Sequence, residues 1–142
     1  MPNRPLPPFH LAIPVSDINQ AIAFYGGILG CEMGRSASQW VDWNFYGHQL
    51  VTHQVMTMPS PAAKNPVDGD QVPVPHFGVV LSMDDWRQLA ETLKANDITF
   101  IIEPHVRFEG QVGEQATLFF IDPFGNALEF KAFKDLNALF AK

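Results

Sequence analysis

Apolar and polar positions alternate over residues 9–15. Phe9, Leu11, Ile13 and Val15 fall on one face, and His10, Ala12 and Pro14 on the other. This is the two-residue period of a strand with one buried face. The period then changes to that of a helix, with Ile18, Ala21, Ile22, Tyr25, Ile28 and Leu29 in one stripe. Ser16 or Asp17 caps its start and Gly30 ends it. Short strands are expected over 31–35, 40–46 and 49–56, the last two joined by a hairpin turn at Tyr46-Gly47-His48. Residues 58–73 carry Pro59, Pro61, Pro66, Pro73 and Gly69, which predicts a linker with little regular structure.

The pattern then restarts. Phe77, Val79 and Leu81 alternate with His76, Gly78 and Val80 in a strand over 74–82. Asp84 or its neighbour caps a second helix whose stripe is Trp86, Leu89, Ala90 and Leu93. A strand follows over 98–102, then a loop or ragged strand over 103–113, which carries Pro104 and Gly110. Strands over 116–121 and 127–133 pair across Asp122-Pro123-Phe124-Gly125, and 135–140 form a short terminal helix. Strand, helix and three strands thus occur twice, an internal repeat. The predicted fold is α+β: paired βαβββ modules forming a half-open mixed β-sheet cleft with flanking helices. It is read as one domain over 1–142, with module one at about 9–57, the linker at 58–73, module two at about 74–133 and a tail at 134–142.

Within this pattern Glu129 is a carboxylate between Leu128 and Phe130, costly to bury without a partner. Lys131, two residues on and on the same face, is the plain partner. A metal ion is the sharper one, with His10 and His76 as further ligands. These histidines open equivalent strands of the two halves, each followed on its face by a small residue, Ala12 or Gly78. Two imidazoles and one carboxylate suit one divalent metal per chain. Fe(II), Zn, Mn, Ni and Co are all compatible, and the ligand set does not choose among them. His53, on the last strand of the first half, is a candidate fourth ligand or a catalytic acid/base, and equally an ordinary hydrogen-bonded histidine. Arg107, Gln115 and Thr117 are candidate substrate contacts, Arg107 for an anion. Trp43 and Phe45 share a strand face and either line an aromatic-binding cleft or sit in the core. His48 and His105 fall in a turn and a loop and read as solvated, with His105 near a possible mouth.

Composition narrows the partners. With 46% hydrophobic residues the chain can bury a real core, and a net charge of −6 with no basic run argues against nucleic acid and anionic membrane. The longest apolar run is too short to span a bilayer, and residues 1–8 read as an extended, proline-rich lead-in without the core of a signal peptide. Cys31 is the single cysteine, so no intrachain disulfide forms, which suits a cytoplasmic location.

Three segments resemble the vicinal oxygen chelate superfamily, which includes glyoxalase I, fosfomycin-resistance thiol transferases, bleomycin-resistance proteins and extradiol dioxygenases. They are Phe9 to Asp17 with Ala23-Phe24-Tyr25 and Leu29-Gly30, then Pro75-His76-Phe77-Gly78-Val79, and finally Phe119 to Asn126 with Glu129. The resemblance covers about 9–133. It implies paired βαβββ modules, a metal held by His10, His76 and Glu129, a small-molecule substrate and a homodimer. At the fourth-strand position glyoxalase I places another ligand and extradiol dioxygenases a proton-moving histidine; His53 stands for that position here and tilts the expectation towards a dioxygenase. Ring-cleaving members place a tyrosine on the strand before the ligand glutamate, where this chain has Leu118, Phe119 and Phe120. Isomerisation, thiol transfer and metal-free binding of a drug-like molecule are the alternative functions.

Overall fold

A computed structural model describes residues 5–61, 63–67 and 69–142. Residues 1–4 of the expected lead-in lie outside the described residues. The chain divides into two compact units, Met1–Pro59 and Ser60–Lys142, and each carries one copy of the repeat.

The first unit runs β1 (His10–Val15), α1 (Ile18–Ala21) continuing as a π-helical turn (Ile22–Ile28), β2 (Glu32–Ala37), β3 (Trp40–Phe45) and β4 (His48–Gln54). Its sheet order is β1-β4-β3-β2, with β1 parallel to β4 and the other pairs antiparallel. Asp17 caps the helix by accepting from the Gln20 amide at 3.0 Å. At its other end Gly30 takes φ +73°, which lets the Cys31 amide reach back to the Tyr25 carbonyl at 2.9 Å. The helical segment packs on the sheet face that carries Trp43. The Trp43 and Tyr25 ring centroids are 6.4 Å apart, and Trp43 Nε1 donates to Thr52 Oγ1 at 3.1 Å. Gly26 lies over the Trp43 ring, where a Cβ would sit 3.1 Å from it.

The second unit begins with a two-stranded hairpin, β5 (Ala63–Val67) and β6 (Asp70–Val74), where the prolines predicted an irregular linker. A two-stranded ribbon tolerates Pro66 and Pro73 because each strand has an unpaired edge that asks for no amide donor. β7 (Val80–Leu81), α2 (Met83–Ala95), β8 (Phe100–Arg107), β9 (Gln115–Ile121) and β10 (Ala127–Phe133) follow, in the order β7-β10-β9-β8. This is the strand order of the first unit, so the internal repeat is a repeat of topology. Ser82 caps α2, and Trp86, Leu89, Ala90 and Leu93 are its buried stripe. Trp86 Nε1 donates to the Phe130 carbonyl at 3.1 Å, tying α2 to the face that carries Leu128, Phe130 and Ala132.

Two boundaries differ from expectation, and one alternative is decided. The strand expected over 74–82 keeps regular pairing only at Val80–Leu81, with one isolated bridge between Phe77 and Leu128. Residues through Arg107 extend β8, the ragged-strand alternative for 103–113, with register shifts between Phe100 and Ile102 and between Ile102 and His105. The terminal helix is a 3-10 helix over Leu136–Phe140. No helix is long and apolar enough to cross a membrane among the described residues.

Candidate functional site

The second unit's sheet has one face under α2 and one face open to a cavity. Which residues reach the open face is decided by the turn before β10. Asp122 is buried, and its carboxylate is fully engaged: Oδ1 accepts the Phe124 and Asn126 amides at 2.9 and 2.8 Å, and Oδ2 accepts the Asn126 side-chain amide at 2.9 Å. Gly125 takes φ +93° to complete the turn. The turn fixes the β9–β10 register with Glu129 opposite Phe119 and Lys131 opposite Thr117. A slip of one residue would send Glu129 into the α2 face.

Glu129 is 17% exposed, and Lys131 is not its partner. Thr117 Oγ1 donates to Glu129 Oε2 at 2.8 Å, and His76 Nε2 lies 3.5 Å from Oε1. His76 is 31% exposed and rests edge-on against the Phe119 ring, centroids 4.8 Å apart. Its Nδ1–H donates to the Pro73 carbonyl at 2.7 Å, since a carbonyl can only accept. Neutral His76 therefore presents a lone pair at Nε2 towards Glu129. Gly78 lies against the Glu129 backbone, and a Cβ there would overlap the Glu129 carbonyl oxygen. The small residue after His76 thus lets the two backbones approach closely.

A cavity of about 540 Å³ covers this face, lined by His76, His105, Arg107, Gln115, Thr117, Glu129 and Lys131 and by Val67, Asp70 and Val72 of the hairpin. Val72 packs with Phe119 and Ala127. His105, expected to be solvated and near a possible mouth, is exposed on β8 opposite Thr117, lines the cavity, and donates its Nδ1–H to the Glu103 carbonyl at 3.0 Å. The signal that it belongs here is strand register, which residue type alone does not carry.

In the first unit, His10 Nδ1–H donates to Gln49 Oε1 at 2.7 Å, and the two residues are direct register partners. His10 Nε2 is thereby left as the available lone pair, as in His76. His53 is on the same open face but pairs with Pro14 and Trp40. It lies four residues beyond Gln49, or roughly 13 Å along the strand. The register also gives the counterpart of Glu129. In the second unit Phe77 pairs with Leu128 and Val80 with Lys131, so Glu129 matches Val51 and His53 matches Lys131. Trp43 and Phe45 are core residues on the opposite face, Trp43 only 1% exposed, and do not line an open surface of this unit. Burial also pushes the Cys31 thiol up to about 11.

Among the described residues no three His, Cys, Asp or Glu side chains form a group that would hold a metal ion. His76 and Glu129 come together in the second unit with Thr117, Gln115 and Arg107 nearby; His10 and His53 belong to the first. The donor chemistry of the pair fits a divalent ion. One neutral imidazole nitrogen and one carboxylate oxygen face each other at the spacing of two ligands with bonds of about 2.0–2.2 Å.

A model of the glyoxalase/bleomycin resistance protein/dioxygenase superfamily matches residues 8–130. A glyoxalase/bleomycin resistance protein/dioxygenase from Alicyclobacillus acidocaldarius is 32% identical, with 97% of this chain and 99% of that chain covered and a TM-score of 0.75. The fosfomycin resistance protein FosX from Listeria monocytogenes shares the fold at 17% identity, 91% and 94% coverage and a TM-score of 0.66. A glyoxalase/dioxygenase from Nostoc punctiforme does so at 18% identity, 94% and 99% coverage and a TM-score of 0.68. No curated protein matches. The family match over most of the chain and the repeated βαβββ topology lead to one conclusion: the chain belongs to the glyoxalase/bleomycin resistance protein/dioxygenase superfamily.

Proposed function

We propose that this chain is a divalent-metal-dependent enzyme acting on a small substrate that chelates the metal through adjacent oxygens, working as a homodimer. The observation that carries this is the commitment of His76 Nδ1 to the Pro73 carbonyl, which turns an Nε2 lone pair on Glu129 Oε1. His76, Glu129 and His10 would hold the ion, Fe(II) first among the candidates. When bound, the ion supplies a Lewis acid and a template for two vicinal oxygens.

The residues of the chain do the rest. The Pro73 carbonyl fixes the His76 ring and the Gln49 amide fixes His10. Thr117 holds Glu129 Oε2 so that Oε1 faces the imidazole. Gln115 and Arg107 line the cavity where the rest of the substrate would sit. Oxygen insertion, with His53 moving protons, is the first reaction to test. Isomerisation or thiol addition is the second, and the register of His53 away from His10 favours it. In either case His105 is the histidine that shares a cavity with His76 and Glu129.

The experiment is anaerobic Fe(II) loading of the full chain, then O2 consumption with a panel of catechols and thiol consumption with 2-oxoaldehydes and epoxides. Metal-dependent turnover that disappears in Glu129→Gln supports the reading, and the consumed co-substrate selects the reaction. Tight binding of an aromatic compound, unchanged in His10→Ala and Glu129→Ala and without turnover, would replace it with a metal-free binding protein.

A further inference from the structure

The hairpin ribbon of the second unit is lightly buried. β5 is exposed along its whole length, and in β6 only Val72 and Pro73 are buried. A two-stranded ribbon is marginal on its own in water, so its place depends on what it rests on. Val72 is that seat. It is 4% exposed and packs with Phe119 and Ala127, with Ile101, Ile102 and Ile121 around them.

The next residue is Pro73, whose carbonyl accepts the His76 Nδ1–H at 2.7 Å. The ring under Val72, Phe119, is also the ring that His76 rests against. One buried ring thus backs both the ribbon and the imidazole. A neutral imidazole has two tautomers, and a carbonyl at Nδ1 selects the one with a bare Nε2. The other tautomer has a ready partner. With its proton on Nε2, His76 would donate to Glu129 Oε1, now 3.5 Å away, and the pair would close on itself. The two arrangements differ by a proton moved within the ring, with no change of charge.

We propose that Val72 is a positioning residue for His76: by seating the ribbon on Phe119 it holds the Pro73 carbonyl on Nδ1 and so keeps the His76–Glu129 pair open to a cation. That the open pair serves as metal ligands rests on the metal-enzyme reading above, whereas the choice of tautomer does not. The ribbon is then part of the site's machinery. Loosening it leaves both ligand side chains in place but turns their lone pairs to each other's use. Groups that orient a metal ligand from behind matter to affinity nearly as much as the ligand itself.

The test reads the tautomer in the metal-free full-length chain, so that it stands apart from the metal. Long-range proton–nitrogen NMR spectra of isotope-labelled protein are recorded at about pH 9, where imidazoles are neutral. The His76 signals are identified by their absence in His76→Asn. The Nδ1–H tautomer is expected in wild type, in the conservative Val72→Ile, and in Val41→Ala, which removes a buried valine of the first unit. In Val72→Ala the ring should shift towards Nε2–H, and Zn(II) affinity by chelator competition should fall about tenfold or more. Should Val72→Ala not fold, Val72→Thr, which keeps the shape but sets a hydroxyl against Phe119, is read in its place. An Nε2–H ring in wild type, a Val72→Ala ring still in the wild-type tautomer, or an equal shift in Val41→Ala overturns the proposal. The expected tautomer shift in a protein whose wild type takes up no divalent metal would sink the metal-enzyme reading and leave the role of Val72 standing.

Discussion

His76 Nε2 lies 3.5 Å from Glu129 Oε1, and neither atom has a hydrogen to offer while His76 is neutral, because Nδ1 already carries its proton to the Pro73 carbonyl. Two facing lone pairs in a half-buried setting are repulsive unless the imidazole is protonated or a cation stands between them. The surrounding hydrogen bonds hold this arrangement in place, and the predictions below follow from it and from the packing around it.

Thr117→Val removes the hydroxyl that binds Glu129 Oε2 and keeps nearly the same shape. Metal affinity should fall by about 10- to 100-fold, the usual cost of losing a group that orients a ligand. Competition titration with a fluorescent chelator measures it, and far-UV circular dichroism should show an unchanged fold. Unaltered affinity would mean that Glu129 is positioned by its strand alone.

Gly78→Ala places a methyl group on the Glu129 carbonyl oxygen. Backbone cannot yield as a side-chain tip can, so a loss of about 3 kcal/mol or more is expected in urea unfolding. Gly27→Ala is the contrast: its added Cβ meets nothing within 4 Å. It lies in a helical segment, and a gain of about 0.5–1 kcal/mol is expected.

Trp43→Phe should lower stability while leaving ligand binding in the second unit unchanged. The indole is core, packed under Tyr25 and bonded to Thr52. Thr52→Val, which strands the buried Nε1–H, should cost about 1–3 kcal/mol. A change in ligand affinity with unchanged stability would restore Trp43 to a binding role.

Burial holds the Cys31 thiol up to about 11. At pH 8 its thiolate fraction should be about two hundred-fold below that of an ordinary cysteine of pKa 8.5, and alkylation by iodoacetamide correspondingly slow. The sign for stability follows from the same shift. The folded state holds the proton more tightly, so this contribution is intact below about pH 9 and is lost as pH rises towards 11. Cys31→Ser should flatten the alkaline limb of the stability profile.

Much of this was legible before any coordinates. β10 was expected over 127–133 and is found at Ala127–Phe133, because its alternation and the preceding Asp-Pro-Phe-Gly turn are local signals. The repeat was legible from two helix stripes and two strand-opening histidines. Register was not. That His10 faces Gln49, and that His53 corresponds to Lys131, depends on how strands far apart in sequence align. The hairpin at 63–74 was hidden by Pro66 and Pro73, which break central strands but not the free edges of a two-stranded ribbon. His105 near a mouth and Lys131 on the face of Glu129 were legible from alternation, whereas the residues beside them on neighbouring strands are set by pairing.

The most direct measurement is elemental analysis of the protein purified without added metal and then equilibrated with a mixture of Fe(II), Mn(II), Zn(II), Ni(II) and Co(II) under anaerobic conditions. About one divalent ion per chain is expected in wild type and in His53→Ala. His10→Ala, His76→Ala and Glu129→Gln should each fall well below that. Wild-type protein without stoichiometric metal, or Glu129→Gln retaining as much as wild type, would contradict the assignment of His76 and Glu129 as metal ligands.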